Sequence, residues 1–408
     1  MKLQVKLNLI LFLVFIFGFA AVNLLKPHSK EASKLEQRDI ATQPEFTTDR
    51  FFDGEYTRDF DNYFSDNFAY RTSLVQVGAS MKELKGIPDE DRVSIVSAGV
   101  DNMDGNKESA TSEVSKSNYI IMKDRAYTAF KFSSQASDTY AGALNRFRDS
   151  VDPKVNVYSL LAPTSVEFAE DENMKKLSES QKDAFSYVNS KLSPSINKVD
   201  AYAGLSEHKD EYVYFRTDHH WTALGAYYSY AKLMETMGET PVPLSKYKKS
   251  EIEGFLGTAY KQLLDNRLKT HPDLITYYTP FTKSAYTMYS TKGKGSVKKV
   301  VDPNYAKISS TFYAVFLGGD YPWGEIDTDN KNGKRIVVVK DSYANAFVPF
   351  LLPHFEKVYY LDPRSYSGNI LDFVKEQKIT DVLFLNNSTV ARNSGIADYL
   401  NKLMDVSK

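Results

Sequence analysis

Two short stretches of the chain carry residue types that suit acyl chemistry. Residues 216–222 read Arg-Thr-Asp-His-His-Trp-Thr, which places Asp218 beside two of the chain's six histidines, His219 and His220. Residues 340–347 read Lys-Asp-Ser-Tyr-Ala-Asn-Ala-Phe, with Ser342 just after the aliphatic run 335–339. A serine hydroxyl is a weak nucleophile until a base takes its proton. An imidazole acting as that base needs a carboxylate to fix its tautomer and stabilise its charged form. Asp, His and Ser are all present, and the chain has no cysteine, so disulfides, thiolate zinc sites and cysteine nucleophiles are excluded together. Two plainer readings compete. Ser342 at a strand-to-helix turn also suits a helix N-cap. Asp218, His219 and His220 also suit a metal, but adjacent histidines ligate one ion poorly and no third cluster supplies ligands, so no metal and no cofactor is expected.

These groups must be positioned by the elements around them. In open α/β sheets the reactive groups gather in loops at the carboxyl ends of strands. Hydrophobic periodicity predicts paired strands over 119–122 and 126–132, a helix over 135–151, a buried strand over 155–161, a helix over 181–192, a short strand over 212–215 and a helix over 222–237. Short aliphatic or aromatic runs at 335–339, 357–361 and 381–385, separated by helical segments, predict a parallel sheet with crossover helices. Residues 239–330 break this rhythm with Gly, Pro, Thr and Tyr and short alternating runs such as 274–278 and 314–317, which predicts an irregular β-rich insertion. The turn after 335–339 exposes the Ser342 hydroxyl and aims the amides of the following helix at an oxyanion. The loop after 357–361 presents Arg364, suited to binding substrate or stabilising negative charge, or else to a surface ion pair.

Composition bounds the rest. With 42% hydrophobic and 25% charged residues the chain is ordinary globular material. Its 51 Lys+Arg against 52 Asp+Glu leave a net charge of −1, and nucleic-acid binding is set aside. Lys2 and Lys6 precede an uncharged run from Leu7 to Leu25 that Lys26-Pro27 ends, just long enough at 1.5 Å per residue to span a bilayer. The positive-inside rule then places everything after Lys26 outside the cytoplasm. A cleaved signal peptide is the competing reading; no clean small-x-small site is evident, and an uncleaved anchor over 1–27 is favoured. Residues 28–50 read as a tether, polar and charged through Glu45. The folded part, 51–408, starts with the aromatic run 56–68 at helical spacing, and 101–118 reads as an exposed polar loop.

The Asp-His-His-Trp-Thr-Ala-Leu-Gly-Ala run from 218 and the Lys-Asp-Ser-Tyr-Ala-Asn-Ala-Phe run from 340 resemble the DHHW proteins, which are similar to the alginate O-acetyltransferase proteins AlgJ and AlgX. The resemblance extends from the aromatic helix near Tyr56 through Phe-Leu-Gly-Gly-Asp-Tyr-Pro at 316–322 to the C-terminal strand. It implies an SGNH-hydrolase-like, flavodoxin-like α/β fold: a parallel sheet flanked by helices, with the catalytic motifs in permuted order, Asp-x-His before the serine. Carried over by position, Ser342 is the nucleophile, His220 the general base and acid, and Asp218 the group that orients His220; His219 falls at the variable position and ranks second as base. Lys340 replaces the glycine of the family's Gly-Asp-Ser block. The same resemblance implies an asparagine oxyanion donor in the loop after 381–385, Asn387 first and Asn386 second, with Tyr343 and Arg364 as further oxyanion or substrate candidates. The implied activity is transfer of an acyl group, most simply acetyl, from a membrane-bound O-acyltransferase partner to hydroxyls of an envelope or secreted polysaccharide. An O-acetylesterase uses the same triad with water as acceptor, and a non-catalytic glycan-binding or assembly protein that stacks sugars on the aromatic-rich 239–330 insertion, in a chain with 28 tyrosines, is the alternative outside enzymology.

Overall fold

The computed structural model describes residues 2–25, 41–71, 73, 74, 77, 78, 81, 94–97, 118–291, 293–307 and 309–406. Residues 28–40 of the expected tether and 101–117 of the expected polar loop lie outside these. The chain divides into two compact units, Met1–Asp89 with Leu264–Asn266, and Glu90–Leu263 with Arg267–Lys408.

The first unit opens with an apolar helix, Lys2–Leu25, in which Gln4–Asn23 is long and apolar enough to cross a membrane, as an anchor or a signal sequence is. A short helix, Thr48–Phe52, starts at Thr47, whose hydroxyl accepts the Arg50 N–H. The expected aromatic helix follows as Glu55–Asn67.

The second unit is α/β around a central mixed sheet. Strands β1 (Ser94–Ser97), β2 (Asn118–Met122) and β3 (Arg125–Thr128) form a small antiparallel sheet. The remaining strands are β4 (Asn156–Ala162), β5 (Ile196–Val199), β6 (Lys248–Phe255), β7 (Asp273–Thr279), β8 (Ser284–Tyr289), β9 (Gly295–Lys298), β10 (Trp323–Thr328), β11 (Arg335–Lys340), β12 (Lys357–Leu361) and β13 (Asp381–Asn387). The eight-stranded sheet has the order β5-β4-β13-β11-β12-β10-β8-β9. Pairings from β5 to β12 are parallel and those from β12 to β9 antiparallel. Along β11, Ile336 and Val338 face one core with Leu383 and Leu385, while Val337 and Val339 face the other with Val382 and Phe384. Successive side chains alternate across a strand, so a run of buried aliphatics on both faces requires helices on both. Helix Ala223–Thr236 covers the first face and helices Ser134–Ser150 and Gly395–Asp405 the second.

The structure corrects four expectations. The sheet is mixed rather than parallel, because the 239–330 segment is built into it: β10 pairs antiparallel onto β12 and β8 onto β10, with β9 at the edge, while β6 and β7 form a separate ribbon. Residues 212–215 form no strand, only a bridge between Tyr214 and Trp221. Residues 314–317 end a 3-10 helix, Ser309–Val315, and turn through positive φ at Leu317, Gly318 and Gly319. The last strand runs on through Asn387, since the Asn386 side chain is taken into the core, where its Oδ1 accepts the Tyr140 hydroxyl at 2.9 Å.

Candidate active site

β11 delivers its carboxyl end into a turn that Asp341 organises. Asp341 Oδ1 accepts the Tyr343 N–H at 2.9 Å, its Oδ2 accepts the Asn387 N–H at 2.7 Å, and its carbonyl accepts the Ala344 N–H at 3.2 Å. The turn is thereby pinned to the end of β13, and Ser342 stands at its corner. The Asn345 N–H goes to the Ser342 carbonyl. The amides expected to greet an oxyanion are thus committed, and the Ser342 N–H is the one in this turn with no acceptor among the described residues. Ser342 does not cap the short helix Ala344–Phe347: Tyr343 holds the N-cap position without a side-chain bond.

The second loop is held from both ends. Asp273 on β7 accepts the N–H groups of Arg216 (2.8 Å) and Thr217 (2.7 Å) and the Thr217 hydroxyl (2.5 Å), so a buried carboxylate fixes where the loop begins. At the far end Thr222 caps helix Ala223–Thr236 and gives its hydroxyl to the Tyr212 carbonyl. Gly225 sits where a Cβ would lie 2.5 Å from the Val213 carbonyl, which lets the helix start pass close to the chain entering the loop. Trp221 then crosses to the serine turn, its Nε1 donating to the Tyr343 carbonyl at 2.8 Å, and the Tyr343 hydroxyl returns a bond to the His219 carbonyl. These reciprocal buried bonds set the spacing of the two loops.

Within that frame the His220 ring lies between Asp218 and Ser342. Its Nδ1 is 2.6 Å from Asp218 Oδ1 and its Nε2 is 2.7 Å from Ser342 Oγ. A neutral imidazole protonated at Nδ1 satisfies both bonds, leaving the Nε2 lone pair aimed at the serine hydroxyl. Asp218 Oδ1 also accepts the His220 N–H, and its Oδ2 accepts the Thr258 N–H (2.8 Å) and Thr258 hydroxyl (2.9 Å). Burial pushes the Asp218 carboxyl up, but His220 and His219 beside it, with the bonds from His220 and Thr258, outweigh this and hold it well below the usual aspartate range. The Tyr313 ring stacks on His220 at 4.1 Å and 13°. The donor atoms of Asp218, His219 and His220 lie within 4.8 Å of one another, a spacing that suits a metal. Those of Asp218 and His220 are already committed to the bonds above.

A second charged cluster lies at the neighbouring strand ends. The fully buried Lys340 ammonium pairs with Asp320 Oδ1 at 2.7 Å, and the Asn345 side-chain amide donates to the same oxygen at 2.8 Å. Arg364 clasps Asp362 with two bonds, at 2.8 and 2.5 Å, and reaches Asp320 at 3.3 Å. Burial raises the Asp320 carboxyl, yet Lys340 and Arg364 more than offset it and hold it far down.

The sequence-predicted residues therefore part company. Asp218, His220 and Ser342 form one hydrogen-bonded line. Tyr343 braces that line through its hydroxyl, and Arg364 is held in the neighbouring ion cluster. Asn387 caps the short helix Ser388–Ala391 through its Oδ1. Asn386 turns away toward Tyr140. Sequence reasoning missed Thr258, Gly257, Asp273, Tyr313 and Asp320. All five come from the 239–330 segment; Thr258, Gly257, Asp273 and Tyr313 have no local pattern to mark them, whereas Asp320 lies in the 316–322 run that carried the resemblance. Gly257 is the most constrained, since a Cβ there would lie 2.2 Å from the Asp218 Cβ.

The model of the DHHW protein family matches residues 88–361. A DHHW family protein from Eubacterium siraeum DSM 15702 is 34% identical, with a TM-score of 0.65 over 72% of this chain and 96% of that one. Bacillus cereus PatB1, solved with a sulfonyl adduct, is 20% identical, with a TM-score of 0.59 over 69% of this chain and 97% of that one. The O-acetyltransferase domain of Pseudomonas putida AlgJ is 14% identical, with a TM-score of 0.42 over 76% of this chain and 100% of that one. No curated protein matches the chain.

Proposed function

The chain belongs to the DHHW family, and on that premise we propose that it is an SGNH-like serine O-acyltransferase acting outside the cytoplasm on hydroxyls of an envelope or secreted polysaccharide. Its motif order is permuted, Asp218-x-His220 preceding Ser342. The observation that carries this reading is the hydrogen-bonded line from Asp218 Oδ1 to His220 Nδ1 (2.6 Å) and from His220 Nε2 to Ser342 Oγ (2.7 Å).

In this reading Ser342 Oγ attacks the carbonyl carbon of an acyl donor while His220 Nε2 takes the hydroxyl proton. Collapse breaks the bond to the donor's leaving group, which receives that proton, and leaves an acyl-serine. An acceptor sugar hydroxyl then attacks the ester carbonyl, gives its proton to His220, and is released as the acylated sugar as Ser342 Oγ takes the proton back. Asp218 stays ionised throughout and stabilises the imidazolium between the steps. The Ser342 N–H is the first candidate donor to the oxyanion, and the Asn387 side chain is the second. The apolar N-terminal helix is read as an uncleaved anchor, which keeps the site near a membrane-bound O-acyltransferase that supplies the acyl group and raises its effective concentration.

Incubation of the protein with p-nitrophenyl acetate, read by intact mass, tests this. An adduct of about 42 Da is expected in the wild type and absent in Ser342→Ala, the increment of one acetyl on a covalent nucleophile. Sulfonyl fluorides are expected to block it. A wild type that neither acquires the adduct nor releases nitrophenol would overturn the reading. Capture of the acetyl by added oligosaccharide, rather than by water alone, separates transferase from esterase.

A further inference from the structure

The helix Glu55–Asn67 in the first unit buries Tyr63 and Asn67 and leaves two phenylalanines in solvent. Polar bonds tie it to its own unit. The Asn67 side-chain amide donates to the Ala41 carbonyl at 2.9 Å, Asp66 accepts the Ala41 N–H at 2.9 Å, and Asp59 pairs with Arg50 at 2.7 Å. Phe60 and Phe64, one turn apart, are exposed beside polar neighbours such as Asp61 and Ser65. The flanking segment continues the pattern, with Phe46 58%, Phe51 46% and Phe52 85% exposed. Isolated apolar residues on a surface are ordinary, whereas a contiguous aromatic face marks an interaction site.

The rings also make two series of contacts, and one of them starts on the apolar helix. Phe19, inside the candidate span, stacks on Phe68 at 6.2 Å, and Phe68 meets Phe64 at 5.9 Å. Phe60 meets Tyr56 at 5.9 Å, Tyr56 meets Phe46 at 4.9 Å, Phe46 meets Phe51 at 5.8 Å, and Phe51 meets Phe52 at 5.6 Å. Asn23, at the end of the span, accepts the Ala69 N–H at 2.8 Å. The aromatic face therefore begins at the depth where the spanning helix leaves the hydrocarbon, the level at which amphipathic rings sit in a bilayer. The helix carries Glu55, Asp59, Asp61 and Asp66 against Arg58 alone, so attraction to anionic lipid does not drive the contact and apolar burial does.

We infer that residues 46–68 form an interfacial platform that lies on the outer face of the bilayer, with Phe51, Phe52, Phe60 and Phe64 set into the headgroup layer beside the span. This rests on the anchor reading above and adds to it a second membrane contact outside the span. The chain has no cysteine, so one introduced thiol reports one place. Full-length Phe52→Cys carries an environment-sensitive fluorophore, and full-length Val297→Cys, at a position 83% exposed in the other unit, carries the same label. Both are reconstituted in phosphatidylcholine vesicles. The label at 52 is expected to lose most of its emission to headgroup-nitroxide lipid, with no change between low and high salt, and to resist iodide; the label at 297 should do the reverse. Iodide quenching at 52 equal to that at 297 would overturn the platform. Protection at 52 from iodide without lipid quenching would also overturn it, in favour of a protein partner or a second copy. Alkaline carbonate extraction of the same samples reads the anchor separately: a chain that leaves the vesicles sinks the anchor, while a chain that stays with an iodide-exposed label sinks only the platform.

Discussion

Asp218 and Asp320 are both carboxylates beside the serine turn, and both are held well below the usual aspartate range, but their partners differ in kind. Asp218 faces an imidazole and two neutral donors of Thr258. Asp320 faces the Lys340 ammonium and the Arg364 guanidinium. A carboxylate beside an imidazole can stabilise a charge that appears and disappears during a reaction; one clasped by an ammonium and a guanidinium fixes a shape. In the proposed function the first takes part in chemistry and the second in architecture.

The sharpest break of that contrast is to neutralise each acid. Asp218→Asn is expected to lower kcat by about 10⁴ while the melting transition is largely kept, because the amide favours the wrong imidazole tautomer. Asp320→Asn is expected to do the opposite: a stability loss of about 3 kcal/mol, since the buried Lys340 ammonium loses its close partner, with most of the activity retained per folded molecule. Equal effects of the two substitutions on kcat would collapse the distinction.

Gly257→Ala tests the approach of the backbone to Asp218. The added carbon would lie 2.5 Å from Asp218 Oδ2, so the carboxylate must move, and a misplacement near 1 Å costs about 10²-fold in rate. The acetyl adduct should form correspondingly slowly, with circular dichroism unchanged. A variant with full activity would mean that the loop yields rather than the acid.

The lines of force in this molecule were unequally visible in its sequence. The residues of the Asp218–His220–Ser342 line were legible because they sit in two compact, unusual runs, and because aliphatic residues on both faces of β11 and β13 announce a covered strand with a loop at its end. The positioning groups were not. Asp273, Gly257 and Thr258 reach Asp218 and its neighbours only after β6 and β7 pair, and nothing in their own surroundings distinguishes them from other loop residues. The same holds for the antiparallel half of the sheet. β10 alternates half-buried and buried residues, a pattern that fits a separate β-rich insertion as well as an extension of the main sheet. Arg364 shows the converse, a loop arginine suited to substrate that the fold places against Asp362 and Asp320. Its partners come from different strand ends, and only the topology unites them.

Thr258→Val keeps the backbone N–H to Asp218 and removes the hydroxyl bond. A hydrogen bond to a charged group is worth about 1.5–3 kcal/mol, so kcat/KM is expected to fall about tenfold. Thr258→Ser keeps both donors and should restore the rate. A Thr258→Ser protein as slow as Thr258→Val would make Thr258 a packing residue only.

The smallest effect lies away from the site, and it separates the two kinds of acid from a third arrangement. His354 accepts the Tyr230 hydroxyl at Nε2 (2.6 Å) and donates from Nδ1 to Glu239 (3.0 Å), with Lys334 also on Glu239. Burial holds the His354 imidazole below its ordinary value despite the nearby Glu239 carboxylate. The unfolded chain therefore binds a proton there before the folded one does. By linkage its contribution to stability is present above the ordinary histidine value of about 6.5 and is lost as the pH falls through that value toward the depressed one. Asp218 and Asp320 have the same sign, but their contribution is present above the ordinary aspartate value, about 3.9, and is lost only as the pH falls below it. Urea midpoints measured between pH 7.5 and 5 should consequently decline in the wild type and decline less in His354→Asn. The Asp218→Asn and Asp320→Asn proteins should keep the wild-type slope in that window. A slope that follows either aspartate variant instead would place the neutral-range titration at the serine turn and not beneath helix Ala223–Thr236.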